Sequence, residues 1–475
     1  MKVLLVASEV APLIKLGGLG DVIGSLPKAL SKLSDVQADV IIPFFPTAKT
    51  EGHILNKVMN LEVPFDTKIH SVEVYCTKLP ESDVSVYLLR NEEFFAVGGK
   101  SAFQNNISET EMFGFFNRVV VEFLKARYNT YDLVHCNDWH TGLIPHILED
   151  EIGVTRPATL LTIHNLSYQG MSDLDILHDL DLNTFDHSII AWDAEDNNIN
   201  MLQQGLASAD YLSTVSPTYA KEILTSQFGN GLEDILNSRV GRLVGILNGL
   251  DYSQFPRNFT TTNWSQAKPF SKRTLQQHLG LPVDETRPLY SFVSRLDANQ
   301  KGLDILFESM STFIKQDVQF VLLGTGSKEW EDRFKTLAEH TNASINIMFD
   351  VDLAISIYEA SDFLLVPSKF EPCGLTQMIA MWYGALPIVH ATGGLKDSVD
   401  NAVNGFVFDN YSSKDLTAVL NSSLQVFEDT NKLSKMIDSA MASDFSWDKS
   451  AQKYLDLYKR VLMRRQESLS ISTIL

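Results

Sequence analysis

Short, continuous apolar runs alternate with amphipathic stretches along the whole chain. Runs of strand length lie at 2–7, 38–43, 84–89, 132–136, 159–163 and 211–215 in the first half. A second set lies at 289–294, 318–323, 345–349, 363–367, 386–389 and 406–408. Runs without an alternating polar face suit parallel strands covered on both sides. Between them, apolar positions follow helical spacing, as with Ile23, Leu26, Leu30 and Leu33, or Tyr454, Leu457, Tyr458 and Val461. Strand–helix alternation predicts βαβ units in doubly wound sheets, an α/β fold. The pattern breaks near 245–251, and the polar stretch 258–268 lacks strong periodicity. Two nucleotide-fold domains are therefore expected, 1–246 and 247–455, facing each other across a cleft. The terminal helix, about 456–475, is expected to pack back onto a domain; periodicity does not say which, and the first is the candidate.

Two turns carry candidate chemistry. Glu371-Pro372-Cys373-Gly374-Leu375-Thr376 follows the apolar run 363–367 and precedes a helical stretch, Gln377 to Tyr383. A carboxylate and a small-residue turn thus sit where a strand's carboxyl end meets a helix N-terminus, the place where open α/β sheets bind ligands. Backbone N–H groups there favour phosphate, and Glu371 is placed to accept hydrogen bonds from sugar hydroxyls. The second turn, Lys15-Leu16-Gly17-Gly18-Leu19-Gly20-Asp21, follows the first strand. Its glycines permit close approach to an oxyanion. It is neither a dinucleotide fingerprint nor a P-loop, and a plain helix start explains it equally well.

Length and charge narrow the classes. A chain of 475 residues exceeds one core. Its net charge of −20 argues against nucleic acid and anionic membrane surfaces, and no apolar run is long enough to cross a bilayer. Cys76, Cys136 and Cys373 are scattered without metal or redox spacing, which suits a reducing compartment. The first residues already read as a core strand, so a cytoplasmic protein is expected, or a plastid stromal one whose targeting segment was removed.

In order along the chain come Ser8-Glu9-Val10-Ala11-Pro12, Lys15 to Asp21, His135 to His140, Thr162-Ile163-His164-Asn165, Val215 to Ala220 and Asn248-Gly249-Leu250-Asp251. There follow Ser294-Arg295-Leu296, Lys301-Gly302-Leu303-Asp304, Leu323-Gly324-Thr325-Gly326, Pro367 to Gln377 and Thr392 to Asp397. In these motifs the chain resembles bacterial glycogen synthases and plant starch synthases. The resemblance implies a GT-B-type fold, two facing Rossmann-like domains with the active site in the interdomain cleft. It implies transfer of glucose from ADP-glucose to the non-reducing end of an α-1,4-glucan with retention of configuration. Lys15, Gly17, Gly18 and Asp21 then fall at the donor loop, and Cys373, Gly374, Leu375 and Thr376, with Glu371, at the donor turn. His164 falls beside the transferred glucose, and Arg295 and Lys301 on the diphosphate. Glu9, Asp138, Trp139 and Asn248 fall near sugar and acceptor. No second carboxylate is positioned as a nucleophile, so front-face attack assisted by the departing diphosphate is expected.

Plainer explanations stand beside these roles. Arg295 and Lys301 could be solvated loop cations, His164 a satisfied core histidine, and Trp139 core rather than a sugar platform. The local sequence around Cys373 shows no catalytic triad pattern, and the residue reads as packing or donor contact. The sequence departs from the family pattern in two places: the Arg295–Lys301 interval is one residue longer, and Gln203 stands where a lysine is usual. Ile379 stands where the wider glycosyltransferases carry a second glutamate, an absence shared with the branch that resembles starch synthases. Three Asp-x-Asp strings, at 173–175, 179–181 and 350–352, lie away from the phosphate turns. With no zinc spacing either, no metal and no cofactor are expected. The rivals are a UDP-glucose-using transferase and a catalytically weak glucan-binding protein on the same scaffold. No residue visibly reads the base.

Overall fold

The computed structural model describes residues 1–95, 107–182 and 188–472. The chain divides into two compact units. The first comprises Met1–Val215, Ala220–Gly249 and the chain from Trp447 onward. The second comprises Leu250–Ser446 together with the short insert Ser216–Tyr219. The crossing thus falls at 249/250 rather than 246/247, and the return comes at Trp447 rather than near 456.

The first unit is built on a nine-stranded sheet. Its strands are β1 (Lys2–Val6), β2 (Gln37–Pro43), β3 (Asn56–Phe65), β4 (Lys68–Lys78), β5 (Ser85–Arg90), β6 (Leu133–Asn137) and β7 (Ala158–Ile163). A separate antiparallel pair, β8 (Met171–Asp173) and β9 (Asn198–Asn200), precedes β10 (Tyr211–Thr214) and β11 (Leu243–Gly245). The spatial order is β11-β10-β7-β6-β1-β2-β5-β4-β3. Seven of these strands are parallel, and β4 and β3 form an antiparallel extension on β5. From β1 the chain adds β2, crosses to the edge strand β3, steps back through β4 to β5 beside β2, and then builds β6 onward on the other side of β1. The switch point lies between β1 and β6.

The second unit has six parallel strands: β12 (Leu289–Val293), β13 (Gln319–Leu323), β14 (Ala343–Asn346), β15 (Phe363–Val366), β16 (Leu386–His390) and β17 (Phe406–Phe408). Their order is β14-β13-β12-β15-β16-β17, so its switch point lies between β12 and β15. Apolar residues of β1, β6, β7, β13 and β15 are almost wholly removed from water, as the unbroken apolar runs require.

Three elements differ from expectation for identifiable reasons. β3 and β4 carry alternating sequences in which Leu61, Val63, Phe65, Val72 and Val74 are buried and intervening polar residues face water. A search for continuous runs passes over them. The stretch 258–268, expected to be aperiodic linker, contains the start of a helix, Trp264–His278. Its inward face is carried partly by lysines. Lys268 is buried and donates to the carbonyls of Glu359, Ser361 and Tyr383 at 3.1, 2.8 and 3.0 Å. Lys272 pairs with Asp362 at 2.6 Å. The last helix runs from Trp447 to Ser472 and packs on helix Gly18–Ser31 and on β7, with Tyr454, Leu457, Tyr458 and Val461 buried. Among the described residues no helix is long and apolar enough to cross a membrane.

Candidate active site

In the first unit the predicted residues gather at the carboxyl ends of β1, β6 and β7, at the switch point. Glu9 follows β1 and is buried, 4% exposed. Its Oε2 accepts the N–H of Gly17 at 2.9 Å and that of Leu16. The carboxylate therefore organises the glycine loop from beneath, and the N–H of Gly17 is already taken. Helix Gly18–Ser31 starts on this support. A Cβ at Gly20 would lie 2.9 Å from Glu9 Oε2, whereas one at Gly18 would meet nothing within 4 Å. Gly20 is small because the loop is close; Gly18 faces open space. Lys15, half exposed, pairs with Asp21 at 2.7 Å.

Asp138 directly follows β6, with φ 56° and ψ −175°, a conformation otherwise nearly confined to glycine. Its Oδ1 accepts the N–H of His164 at 2.7 Å, which joins the ends of β6 and β7. Burial pushes its carboxyl up to about 7. The backbone N–H groups of His164 and Asn165 oppose that shift, and nearby Glu9 adds to it. His164 Nε2 lies 2.9 Å from Asn137 Oδ1. Asn137 Nδ2 donates to the carbonyls of Val6 and His135, at 3.0 and 3.1 Å, which fixes the amide orientation. His164 Nε2 must therefore carry the proton, leaving Nδ1 as an acceptor. Burial lowers this histidine to about 3, so the ring is neutral at ordinary pH.

Beneath lies a polar network that the sequence did not reveal. His135 Nδ1 is 2.8 Å from Tyr458 Oη, and its Nε2 is 2.6 Å from Thr162 Oγ1, which in turn is 2.6 Å from Ser213 Oγ. All four residues are buried, and the network ties β6, β7, β10 and the last helix into one block.

Trp139 is a correction. Its side chain is 6% exposed, packed edge-on to Phe113 and stacked on His140 with centroids 4.2 Å apart. A Cβ at Gly170 would lie 2.2 Å from its ring. The indole is covered core and offers no face to a sugar. Asn248 lies at the end of this unit, buried, and its Oδ1 has no hydrogen-bond partner among the described residues. Gln203 is buried too, and its amide donates to Asp193 Oδ1 at 2.7 Å.

In the second unit the remaining residues gather at the carboxyl ends of β12 and β15. Lys301 Nζ pairs with Glu371 Oε2 at 2.7 Å. Ser368 Oγ donates to the same oxygen at 2.9 Å, and Gln300 Nε2 reaches Oε1 at 3.5 Å. Glu371 is 7% exposed, so one oxygen is held by protein partners and the other keeps accepting capacity. The two loops meet at backbone level. Lys369 N–H donates to Gln300 O at 2.8 Å, and a Cβ at Gly302, whose φ is +69°, would fall 1.9 Å from Pro367 O. The longer Arg295–Lys301 interval is thus accommodated with Lys301 still on Glu371. Arg295 itself is exposed.

Helix Thr376–Trp382 follows the turn, one residue earlier than expected at each end. Cys373 is buried, Gly374 has φ +72°, and Leu375 and Thr376 are half-buried. A second turn lies against it. Gly394 N–H donates to Glu371 O at 3.0 Å, and a Cβ at Gly394 would sit 2.0 Å from Cys373 O. Ser216, from the short insert, donates to Pro372 O at 2.6 Å. Ser368, Gln300 and Gly394 were not singled out from the sequence, although Ser368 lies in the motif Pro367 to Gln377 and Gly394 in that from Thr392 to Asp397. Nor was Phe349. It follows β14 and is 88% exposed, a bare ring at the sheet's carboxyl edge.

The one group among the described residues with metal-ligand geometry is Asp66, His178 and Asp179, in the first unit. Asp66 is already paired with Lys68 at 3.0 Å, and none of the three belongs to either cluster above. None of the three cysteines is in a disulfide.

Comparison with known proteins places this geometry. Residues 2–238 match the family model described as the starch synthase catalytic domain, and residues 276–441 that of group 1 glycosyl transferases. A glycogen synthase from Clostridium beijerinckii is 39% identical over 97% of this chain and 99% of its own length. One from Lactococcus lactis is 38% identical over 97% and 100%. Among solved structures, the catalytic domain of starch synthase IV from Arabidopsis thaliana, bound to ADP and acarbose, superposes with a TM-score of 0.86. It is 29% identical over 97% of this chain and 99% of that one. Sucrose-phosphate synthase from Thermosynechococcus elongatus, 18% identical over 97% of this chain and 99% of its own, has a TM-score of 0.60 and speaks to the fold alone. The chain has the GT-B fold and belongs to the glycogen synthase family of glucosyltransferases.

Proposed function

We propose that this chain transfers glucose from ADP-glucose to the 4-hydroxyl at the non-reducing end of an α-1,4-glucan, with retention of configuration. The Lys301–Glu371 pair at the β12/β15 switch point carries the proposal. It sets a cation and a carboxylate with a remaining acceptor side by side where an α/β sheet takes its ligand. Glu371 accepts from glucose hydroxyls, while Arg295 and Lys301 stabilise charge as the diphosphate departs. Phe349 offers the base a stacking face. On the first unit, neutral His164 takes the hydrogen-bonding role towards the sugar that the family resemblance assigns to it.

The bond from C1 to the diphosphate oxygen breaks as the bond to the acceptor oxygen forms on the same face. The acceptor proton passes to the departing phosphate. Cations and backbone N–H groups take the place of a metal, and no cofactor is required. The starch synthase bound to ADP supports an adenine nucleotide as donor. Labelled glucose offered as ADP-glucose and as UDP-glucose, with glycogen and EDTA present, tests all of this. Incorporation from ADP-glucose alone is expected. Preference for UDP-glucose overturns the donor, and loss with EDTA that magnesium restores overturns the metal-free mechanism.

A further inference from the structure

Three large side chains of one small module in the first unit are left open to water. Tyr168 is 57% exposed, Met171 52% and Trp192 55%. Every other tryptophan is buried or half-buried. The module is closely tied. Met171 stands opposite Asn200 in the β8–β9 pair. Asn200 Nδ2 donates to Gln169 Oε1 at 2.6 Å, and its N–H donates to Asp193 Oδ2 at 2.9 Å. Asp193, next to Trp192, also takes Gln203 Nε2 at 2.7 Å and Gln204 Nε2 at 2.6 Å. The loop bearing Tyr168 starts at Asn165, directly after His164, and Tyr168 N–H donates back to Asn165 O at 3.3 Å. One continuous segment therefore leads from His164 to the phenol and the thioether, and Asp193, next to Trp192, is bonded to Asn200, which stands opposite Met171.

Chemistry selects the occupant. Two rings and a thioether suit the C–H faces of pyranose rings, and the residues after Trp192, Glu195 to Asn198, are exposed carboxylates and amides able to meet hydroxyls. A net charge of −20 opposes polyanions but costs a neutral polyol nothing. We infer that Tyr168, Met171 and Trp192 form a platform for the acceptor α-glucan, and that Gln203 is a positioning residue that holds it through Asp193. The inference rests on the acceptor proposed above. It also accounts for Gln203, which faces Asp193 rather than a phosphate.

Initial rates at saturating ADP-glucose, with glycogen and with maltoheptaose as acceptors, test it. Trp192→Ala is expected to raise the KM for both acceptors about five- to ten-fold without moving the KM for ADP-glucose; Trp192→Phe should restore most of the affinity. Gln203→Met should raise acceptor KM roughly three-fold by releasing Asp193, with thermal unfolding recorded alongside. The same variants are run in native gels containing glycogen, where Trp192→Ala should lose retardation. Unchanged acceptor KM together with unchanged retardation in Trp192→Ala overturns the platform. If the parent protein shows no transfer, the acceptor proposal fails instead, and gel retardation alone decides the platform.

Discussion

Removing either charge of the Lys301–Glu371 pair should cost stability as well as activity. The groups are 2.7 Å apart, with side chains 16% and 9% exposed. At an effective dielectric constant of about 20, that separation gives roughly 6 kcal/mol of gross attraction. Lost hydration offsets most of it, so the pair adds little net stability, but deleting one member strands the other. Glu371→Gln leaves the ammonium beside a neutral amide. Lys301→Met leaves a carboxylate with only Ser368 and Gln300. Each single change is expected to cost about 3 kcal/mol, the low end for buried pairs, because both groups keep some contact with water. In a unit of about 200 residues, the unfolding midpoint should fall by roughly 6–12 °C. The double variant should recover about 2 kcal/mol relative to the sum of the singles. Thermal and urea unfolding measure these terms, and initial rates give kcat/KM for ADP-glucose. Glu371→Gln should lower kcat/KM at least about 100-fold, or about 2.7 kcal/mol in the barrier. If the two stability penalties add to within about 0.5 kcal/mol, the side chains act independently and the argument from a pre-organised pair is wrong.

Gly394→Ala would place a Cβ 2.0 Å from Cys373 O, between two stretches of backbone. It should destabilise by more than about 2 kcal/mol, whereas Gly18→Ala should stay within about 0.5 kcal/mol in urea unfolding. Trp139→Ala should cost about 3–5 kcal/mol of stability, as a covered core ring does, and a full-stability variant with only a raised glucan KM would restore the sugar-platform role. Phe349→Ala should raise the KM for ADP-glucose about five-fold in initial-rate assays while leaving the acceptor KM alone. Burial lowers His135 to about 3, against about 6.5 unfolded, so between those values the unfolded chain binds the extra proton. Stability must therefore fall as pH drops below about 6.5, by roughly 1.4 kcal/mol from this residue on reaching pH 5.5. Urea titrations at pH 7.5 and 5.5 should show a smaller loss in His135→Gln, and an equal loss would contradict the buried neutral histidine.

The doubly wound sheets were legible because parallel strands buried on both faces leave unbroken apolar runs. The same criterion missed β3 and β4, whose alternating faces write a different pattern. It misplaced β14 as 345–349, because Ile347, Met348 and Phe349 continue the apolar run past the last sheet residue, Asn346. Met348 and Phe349 are then exposed. Helix Trp264–His278 was hidden because Lys268 and Lys272 face inward, a choice that only the opposing carbonyls and Asp362 explain. At the candidate site, strand ends and motif order mark Glu371, Lys301, His164 and Asp138, and the fold sets each near a strand's carboxyl end. Their partners are not marked in this way. Gln300, Asn137 and Tyr458 reach Glu371, His164 and His135 only when the chain folds; Ser368 is three residues from Glu371, but nothing in the local sequence announces a serine that holds a carboxylate. Trp139 shows the converse: an aromatic at a strand end looks the same in sequence whether its face is open or covered by Gly170.

The return of Trp447–Ser472 to the first unit sets an order on the birth of the molecule. During synthesis, the ribosome releases every residue of the second unit before Trp447 appears. The second unit can therefore complete its sheet and core while still tethered. The first, although made earlier, must wait without Tyr458, leaving His135 without its Nδ1 partner and the surface of helix Gly18–Ser31 bare. The amino-terminal half is the last part to mature. Until it does, it exposes apolar surface that a chaperone would recognise, and a released chain truncated after Ser446 should hold a finished second unit and an unfinished first.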